Sequence, residues 1–272
     1  MHVQKTSTDS SACLILDSKM TSILPDGSGS AAPPASAAPA VSAASAVTRD
    51  PSAPSIPSAP SARSRVRRVA ENARYERETL YAIVDAAFLC HIAFADEQGS
   101  HCIPTACWRE GEALYIHGSN GSRMVKHLQQ GAQVCVAITH LDGLVLARSA
   151  FNHSMNYRSC VIYGQFVAID RPDEKRASLD AFMHKIAPGR EHEARPGNAK
   201  EIAATTVLRI SLDEAACKVR SGPPQDDVQD LCLAVWAGVL PLQTVQGAAI
   251  AALDNAVPEP TYVRQWHSQC AD

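Results

Sequence analysis

Phe88-Leu89-Cys90-His91-Ile92-Ala93-Phe94-Ala95, then a polar turn over Asp96–Ser100, then His101-Cys102-Ile103-Pro104-Thr105-Ala106-Cys107-Trp108, and past Arg109–Gly111 the run Glu112–His117, are three short apolar segments separated by turns. Runs of six to eight residues rich in Ile, Phe, Tyr and Trp between close turns predict antiparallel strands. Gln133–Thr139, Leu144–Arg148, Ser159–Ile169, Thr206–Leu212 and Ala216–Arg220 continue the pattern downstream. Just upstream, Leu80, Ile83, Val84 and Ala87 recur at i, i+3, i+4 and i+7, the spacing of an amphipathic helix. Two further helices interrupt the strands. Ser122–Gln129 is stopped by Gly131, and Pro172–Ala187, with Leu179, Phe182, Met183 and Ile186 on one face, is stopped by Pro188-Gly189. Strand–helix alternation is absent, as are GxGxxG and GxxxxGK[ST], which excludes dinucleotide and P-loop folds. The expected fold is mainly β, a small antiparallel barrel with peripheral helices.

Composition places this barrel in the last three quarters of the chain. Between Pro25 and Ala62, 31 of 38 residues are Ala, Ser, Pro or Gly, a mixture with almost nothing large to bury. Residues 1–62 are therefore expected to be a disordered extension, and residues 63–272 one folded domain. Arg63, Arg65, Arg67, Arg68, Arg74 and Arg77 make its entrance basic, with only Tyr75 interleaved, which reads as a solvated face or interface rim. With 25 Lys and Arg against 28 Asp and Glu, the net charge of −3 argues against nucleic acid as a partner. The longest apolar run, Leu231–Leu242, is broken by Gly238 and Pro241 and falls short of the roughly 20 residues of a membrane span. Nine cysteines with no CxxC pair fit reduced thiols and a cytoplasmic location. Adjacent pairs such as Cys90-His91 and His101-Cys102 point to opposite faces of a strand, so no metal site is expected.

Chemistry concentrates in two stretches. In His117-Gly118-Ser119-Asn120-Gly121-Ser122-Arg123-Met124-Val125-Lys126 a strand ends, a Ser/Gly turn follows and a helix opens. Unpaired N–H groups at a helix start, beside hydroxyls and a cation, suit an anion, and Arg123 can grip a phosphate with two parallel bonds while Lys126 lies one turn on. The same residues also make an ordinary Ser-capped helix. In Arg148-Ser149-Ala150-Phe151-Asn152-His153-Ser154-Met155-Asn156-Tyr157-Arg158-Ser159 a polar loop feeds an apolar strand, the place where binding residues gather. His153 titrates near neutral pH and is the candidate proton donor, or else a satisfied loop histidine.

From about Val66 to Leu242 the chain resembles the pyridoxamine 5′-phosphate oxidase-like FMN-binding split barrels, and among them the flavin-nucleotide-binding group that includes the nitroimidazole-resistance reductases. The matching blocks are Ile103-Pro104-Thr105, Gly118–Arg123, His153–Ser159, Lys218-Val219-Arg220-Ser221-Gly222-Pro223-Pro224, Asp226-Asp227 and Val235-Trp236-Ala237-Gly238-Val239. The resemblance implies a six-stranded split barrel that forms a homodimer, with one FMN in each of two clefts at the subunit interface. Ser119, Ser122, Arg123 and Lys126 would then surround the FMN phosphate, the Ile103–Thr105 backbone would follow the isoalloxazine edge, and Arg158 and Ser159 would approach from the later strand. His153 would face the substrate. The implied activity is that of a flavoprotein oxidoreductase passing reducing equivalents from NAD(P)H through FMN to a small-molecule acceptor. The tail Tyr262-Val263-Arg264-Gln265-Trp266-His267 departs from the signature of the vitamin B6 oxidases, so that substrate is not expected. The rival reading is a non-catalytic flavin- or haem-binding barrel, in which His91, His101, His117 or His153 would ligate the iron.

Overall fold

The computed structural model describes residues 58–266, so most of the extension expected at 1–62 lies outside the described residues. Ten strands, β1 (Ala73–Arg74), β2 (Leu89–Asp96), β3 (Gly99–Glu110), β4 (Ala113–Ser119), β5 (Gln133–Leu146), β6 (Ser154–Gln165), β7 (Val167–Ala168), β8 (Thr205–Ser211), β9 (Ala215–Arg220) and β10 (Gly238–Pro241), join in one antiparallel sheet. The order is β1-β9-β6-β5-β2-β3-β4-β8-β7, and β10 adds to β5. Around it stand α1 (Arg77–Asp85), α2 (Arg123–Gln129), α3 (Pro172–Ile186), α4 (Arg190–Glu193), α5 (Ala199–Ala204) and α6 (Thr261–Arg264). The mainly β class with peripheral helices is as expected. The strand number is ten rather than six: seven strands are six residues or longer, and β1, β7 and β10 are further pairings of two to four residues.

One element organises the sheet. β3 pairs with β2 over Gly99–Ala106, and with β4 only over Cys107–Glu110, so it passes from one half of the sheet to the other. α2 presents Met124, Val125 and Leu128 to the core. It can lie close against β4 because Gly118 has no side chain: a Cβ there would meet Val125 Cγ2 at 2.7 Å. The β6–β9 ladder, in register from Tyr157↔Arg220 to Ile162↔Ala215, runs one step further, with Tyr163 N donating to Glu214 O at 2.9 Å. Gln133–Thr139 and Leu144–Arg148, read as two strands, are one. β5 runs through a bulge between Leu141 and Gly143 where it bends against β6, and a polar interval at a bulge resembles a turn in sequence.

The core is built from alternate positions, among them Cys90, Ile92 and Phe94 of β2, Leu114 and Ile116 of β4, Val134, Val136 and Ile138 of β5, and Cys160 and Ile162 of β6. α1 supplies Leu80, Ile83 and Val84, the face its periodicity marked. A smaller cluster on the other side of the sheet holds Trp108, Ile169 and Val207 beneath Leu179 and Phe182 of α3. The Trp108 indole donates to Glu110 Oε1 at 2.9 Å, which Ser178 Oγ also reaches at 2.7 Å, so its buried N–H is satisfied. No helix among the described residues is long and apolar enough to cross a membrane. Ile116, fully buried at the centre of the core, sets a clear test. Ile116→Ala is expected to lower unfolding free energy by about 2–5 kcal/mol, measured by urea titration.

Candidate functional site

The open edge of β3 is the first half of the site. Cys107 N donates to Phe88 O at 3.1 Å, and the β2–β3 register continues unbroken from Leu89↔Ala106 to Asp96↔Gly99. Antiparallel peptides alternate in direction, so residues 101, 103, 105 and 107 bond to β2, while Cys102, Pro104 and Ala106 turn their peptide groups the other way. Among the described residues no strand pairs with β3 on that side before Cys107. Pro104, which lacks an N–H, therefore sits mid-strand without costing a ladder bond. What remains along this edge is a line of backbone donors and carbonyls, beside the predicted Ile103–Thr105 block.

The anion corner stands next to it. Ser122 caps α2, its Oγ accepting from Val125 N at 3.4 Å, and Ser119 Oγ accepts from Gly121 N at 3.2 Å. Lys126 is exposed and makes no hydrogen bond or ion pair among the described residues. Arg123 reaches back to the β2–β3 turn. It donates to Gln98 Oε1, lies 3.1 Å from His101 Nδ1 and 3.9 Å from Asp96 Oδ2. Asp96 accepts from His101 Nε2 at 2.8 Å and from Gln98 N at 2.8 Å. His101, Gln98 N–H and Arg123 together hold the Asp96 carboxyl below the ordinary carboxylate value. Gln98 and Asp96 were not read from the sequence as partners of Arg123, because only the hairpin register brings a turn 25 residues earlier to the start of α2.

The second half lies elsewhere. Arg158 grips Asp142 through two bonds of 2.9 Å, and Ser159 Oγ donates to Lys218 O at 3.4 Å. His153 is exposed at the start of β6, with Nδ1 at 2.9 Å from Ser149 O and Nε2 without a partner. β6 is three strands from β3 through β5 and β2, about 14 Å across the sheet at the usual strand spacing. Within one chain, His153, Arg158 and Ser159 therefore do not join Ile103, Pro104, Thr105, Ser119, Ser122, Arg123 and Lys126. The loop around His153 is anchored by Asp226, whose carboxylate accepts from Arg148 N at 2.7 Å and Arg148 Nη1 at 2.8 Å. Burial pushes the Asp226 carboxyl up, but those two donors outweigh it and hold the group below its ordinary value.

The four histidines differ in freedom. His101 is tied to Asp96 and Arg123. His117 packs between Trp108 and Phe182, its Nδ1 buried without a partner, and burial lowers its pKa so that it is held neutral. His91 is exposed on the outer face of β2 and bonds to nothing among the described residues. Its cross-strand neighbours are Pro104 and Ala137; the row on one side is Ala93, Cys102 and Cys135, and on the other side the exposed Leu89 shares its face of the strand. No group of three or more metal-ligating side chains converges among the described residues.

A family model described as pyridoxamine 5′-phosphate oxidase matches residues 76–219, more than half of the chain. The flavocytochrome Anf3 from Azotobacter vinelandii is 39% identical, the match covering 77% of this chain and 99% of that one, with a TM-score of 0.75. A FAD- and haem-binding protein from Mycobacterium smegmatis is 37% identical over 72% of this chain and 97% of that one, with a TM-score of 0.69. A 5-nitroimidazole antibiotic resistance protein from Bacteroides thetaiotaomicron is more distant, at 21% identity over 54% of this chain and 86% of that one, TM-score 0.46. No curated protein matches. The Asp96 cluster carries its own test. A carboxyl held below its unfolded value adds stability at pH above about 4, and that contribution disappears as acid protonates it. Asp96→Asn is expected to melt below the unaltered protein at pH 7, with the difference shrinking as the pH falls below about 4, measured by thermal unfolding across the acid range.

Proposed function

Because the chain belongs to the pyridoxamine 5′-phosphate oxidase family, we propose that it is a flavin-binding split barrel that also carries haem, a flavocytochrome in which electrons pass between the two groups. The observation that carries this reading is the match over nearly the whole length of Anf3, supported by the FAD- and haem-binding neighbour. It moves the cofactor from the FMN expected in the sequence to FAD, and it favours the haem-binding alternative over a plain NAD(P)H-linked reductase with a small-molecule acceptor.

The residues fit both groups. For the flavin, Arg123 and Lys126 provide two cations beside the Ser119 and Ser122 hydroxyls, enough for a diphosphate. The unpaired edge at Cys102–Ala106 offers the N–H groups of Cys102 and Ala106 and the carbonyl of Pro104 to the polar rim of an isoalloxazine ring. For the haem, His91 is an exposed imidazole with no hydrogen-bond partner among the described residues, and it would hold the iron. When bound, the flavin supplies exchange of one or two electrons and the iron exchange of one. The chain's own work is positional. Pro104 and His91 are direct cross-strand neighbours, so the edge that orients the ring and the imidazole that holds the iron are one strand apart. Arg123, which now contacts Gln98 and His101, would turn to the phosphate oxygens when the flavin is bound.

The separation of the β6 residues supports a homodimer in which His153, Arg158 and Ser159 of one copy face the flavin of the other. His153, fixed through Nδ1 on Ser149 O, keeps Nε2 free to hold a proton there. An absorption spectrum of the protein purified with its natural cofactors, with chromatography of the flavin released by heat, tests the reading. FAD and a Soret band are expected, and FMN with no Soret band overturns it. Arg123→Ala is expected to weaken flavin retention by about 1.5–3 kcal/mol while sparing the Soret band. His91→Ala is expected to abolish the Soret band while sparing the flavin.

A further inference from the structure

A cavity of about 470 Å³ lies between the end of α3, the residue before β2 and the C-terminal segment. That is a size at which small organic ligands bind. Phe88, Ile186, Pro188, Val263 and Trp266 are apolar residues of its wall, and Lys185 also lines it. Among the described residues no histidine, cysteine or methionine lines it.

Two polar groups in this wall lack the partners their burial calls for. The Lys185 ammonium donates to Asp85 O and lies 5.3 Å from the centre of the Phe88 ring, but no carboxylate pairs with it among the described residues. The Asp85 carboxylate acts on it only through space, being held in a fork by Arg109 at 2.9 and 2.6 Å. Burial pulls the Lys185 pKa down more than Asp85 lifts it, the mark of a cation short of a counter-ion. The side-chain amide of Gln246 is the second group: its Oε1 is buried and has no hydrogen-bond partner. Amide oxygen and nitrogen exchange places by a half-turn, so the same position can present an N–H donor.

We propose that this cavity is a separate binding site for an apolar molecule bearing one negative charge, an aromatic or aliphatic carboxylate, with Lys185 as its counter-ion and the Gln246 amide as a second donor. The apolar body fills the space against Phe88 and Trp266, and the carboxylate supplies the half-buried Lys185 ammonium with the counter-ion it lacks among the described residues.

Calorimetric titration of the cofactor-loaded protein with 2-naphthoate, 2-naphthylmethanol and 2-naphthylmethylamine tests this. The carboxylate is expected to bind at least tenfold more tightly than the alcohol, and the amine more weakly than either. Lys185→Gln is expected to bring naphthoate down to the affinity of the alcohol, and Lys185→Arg to keep the preference. Ala249→Trp, at an exposed residue of the cavity wall, is expected to weaken all three by filling the space. Equal affinity for carboxylate and alcohol, a preference that survives Lys185→Gln, or no binding of any probe at millimolar concentration overturns the proposal. Melting temperatures taken alongside separate a lost site from a lost fold.

Discussion

The exchange of partners along β3 is the constraint on which the rest of the molecule hangs. A strand bonded on both sides has no free peptide groups, and a strand at a sheet edge has them along its whole length. β3 is neither: bonded to β2 along most of its length, it takes β4 as a partner only from Cys107 onward. That one change opens the sheet, gives α2 a core to lie on, admits a proline in mid-strand and leaves a short run of backbone groups available to a ligand. It also explains why the anion corner stands where it does. β4 diverges from β3 and ends at Ser119, so the turn and helix that follow are delivered beside the exposed peptides.

Much of this was readable without coordinates. The apolar period of α1, the Ser122 cap, the close spacing of strands and the mainly β class all depend on contacts between residues near in sequence, and such contacts leave periodic or turn-forming signatures. What escaped depends on pairing at a distance. The hold of Gln98 and Asp96 on Arg123 has no pattern of its own, since either residue would serve equally well in an ordinary polar turn. The apolar run Leu231–Leu242 carries neither helical nor strand period, because only Gly238–Pro241 pairs, along one edge of β5, while Leu231, Val235 and Trp236 remain half exposed. The division of the site residues between β3 and β6 was likewise invisible. Blocks that share a sequence signature need not share a pocket within one chain.

The choice among flavins lies beyond this kind of reading for a chemical reason. Two hydroxyls, a guanidinium and an ammonium recognise phosphate, and one phosphate or two satisfies the same groups. A histidine on a strand is equally mute about iron until its neighbours are known. At His91 the informative fact is local: the imidazole is exposed, and five nearby side chains are small while Leu89 shares its face. Small residues on an outer sheet face attract little notice in a sequence, yet they bear on what can approach it.

The interior cysteines have a practical consequence. Cys90, Cys107, Cys160 and Cys217 are free thiols with almost no exposed surface, whereas Cys102 and Cys232 are open to solvent. Burial pushes the Cys160 and Cys217 thiols up, the latter to about 12, so in the native state they are protonated as well as shielded. Only the thiolate attacks an alkylating reagent. The barrel therefore carries its own stopwatch: exposed thiols mark the start of a labelling reaction, and the four interior ones record each occasion on which the whole sheet comes apart.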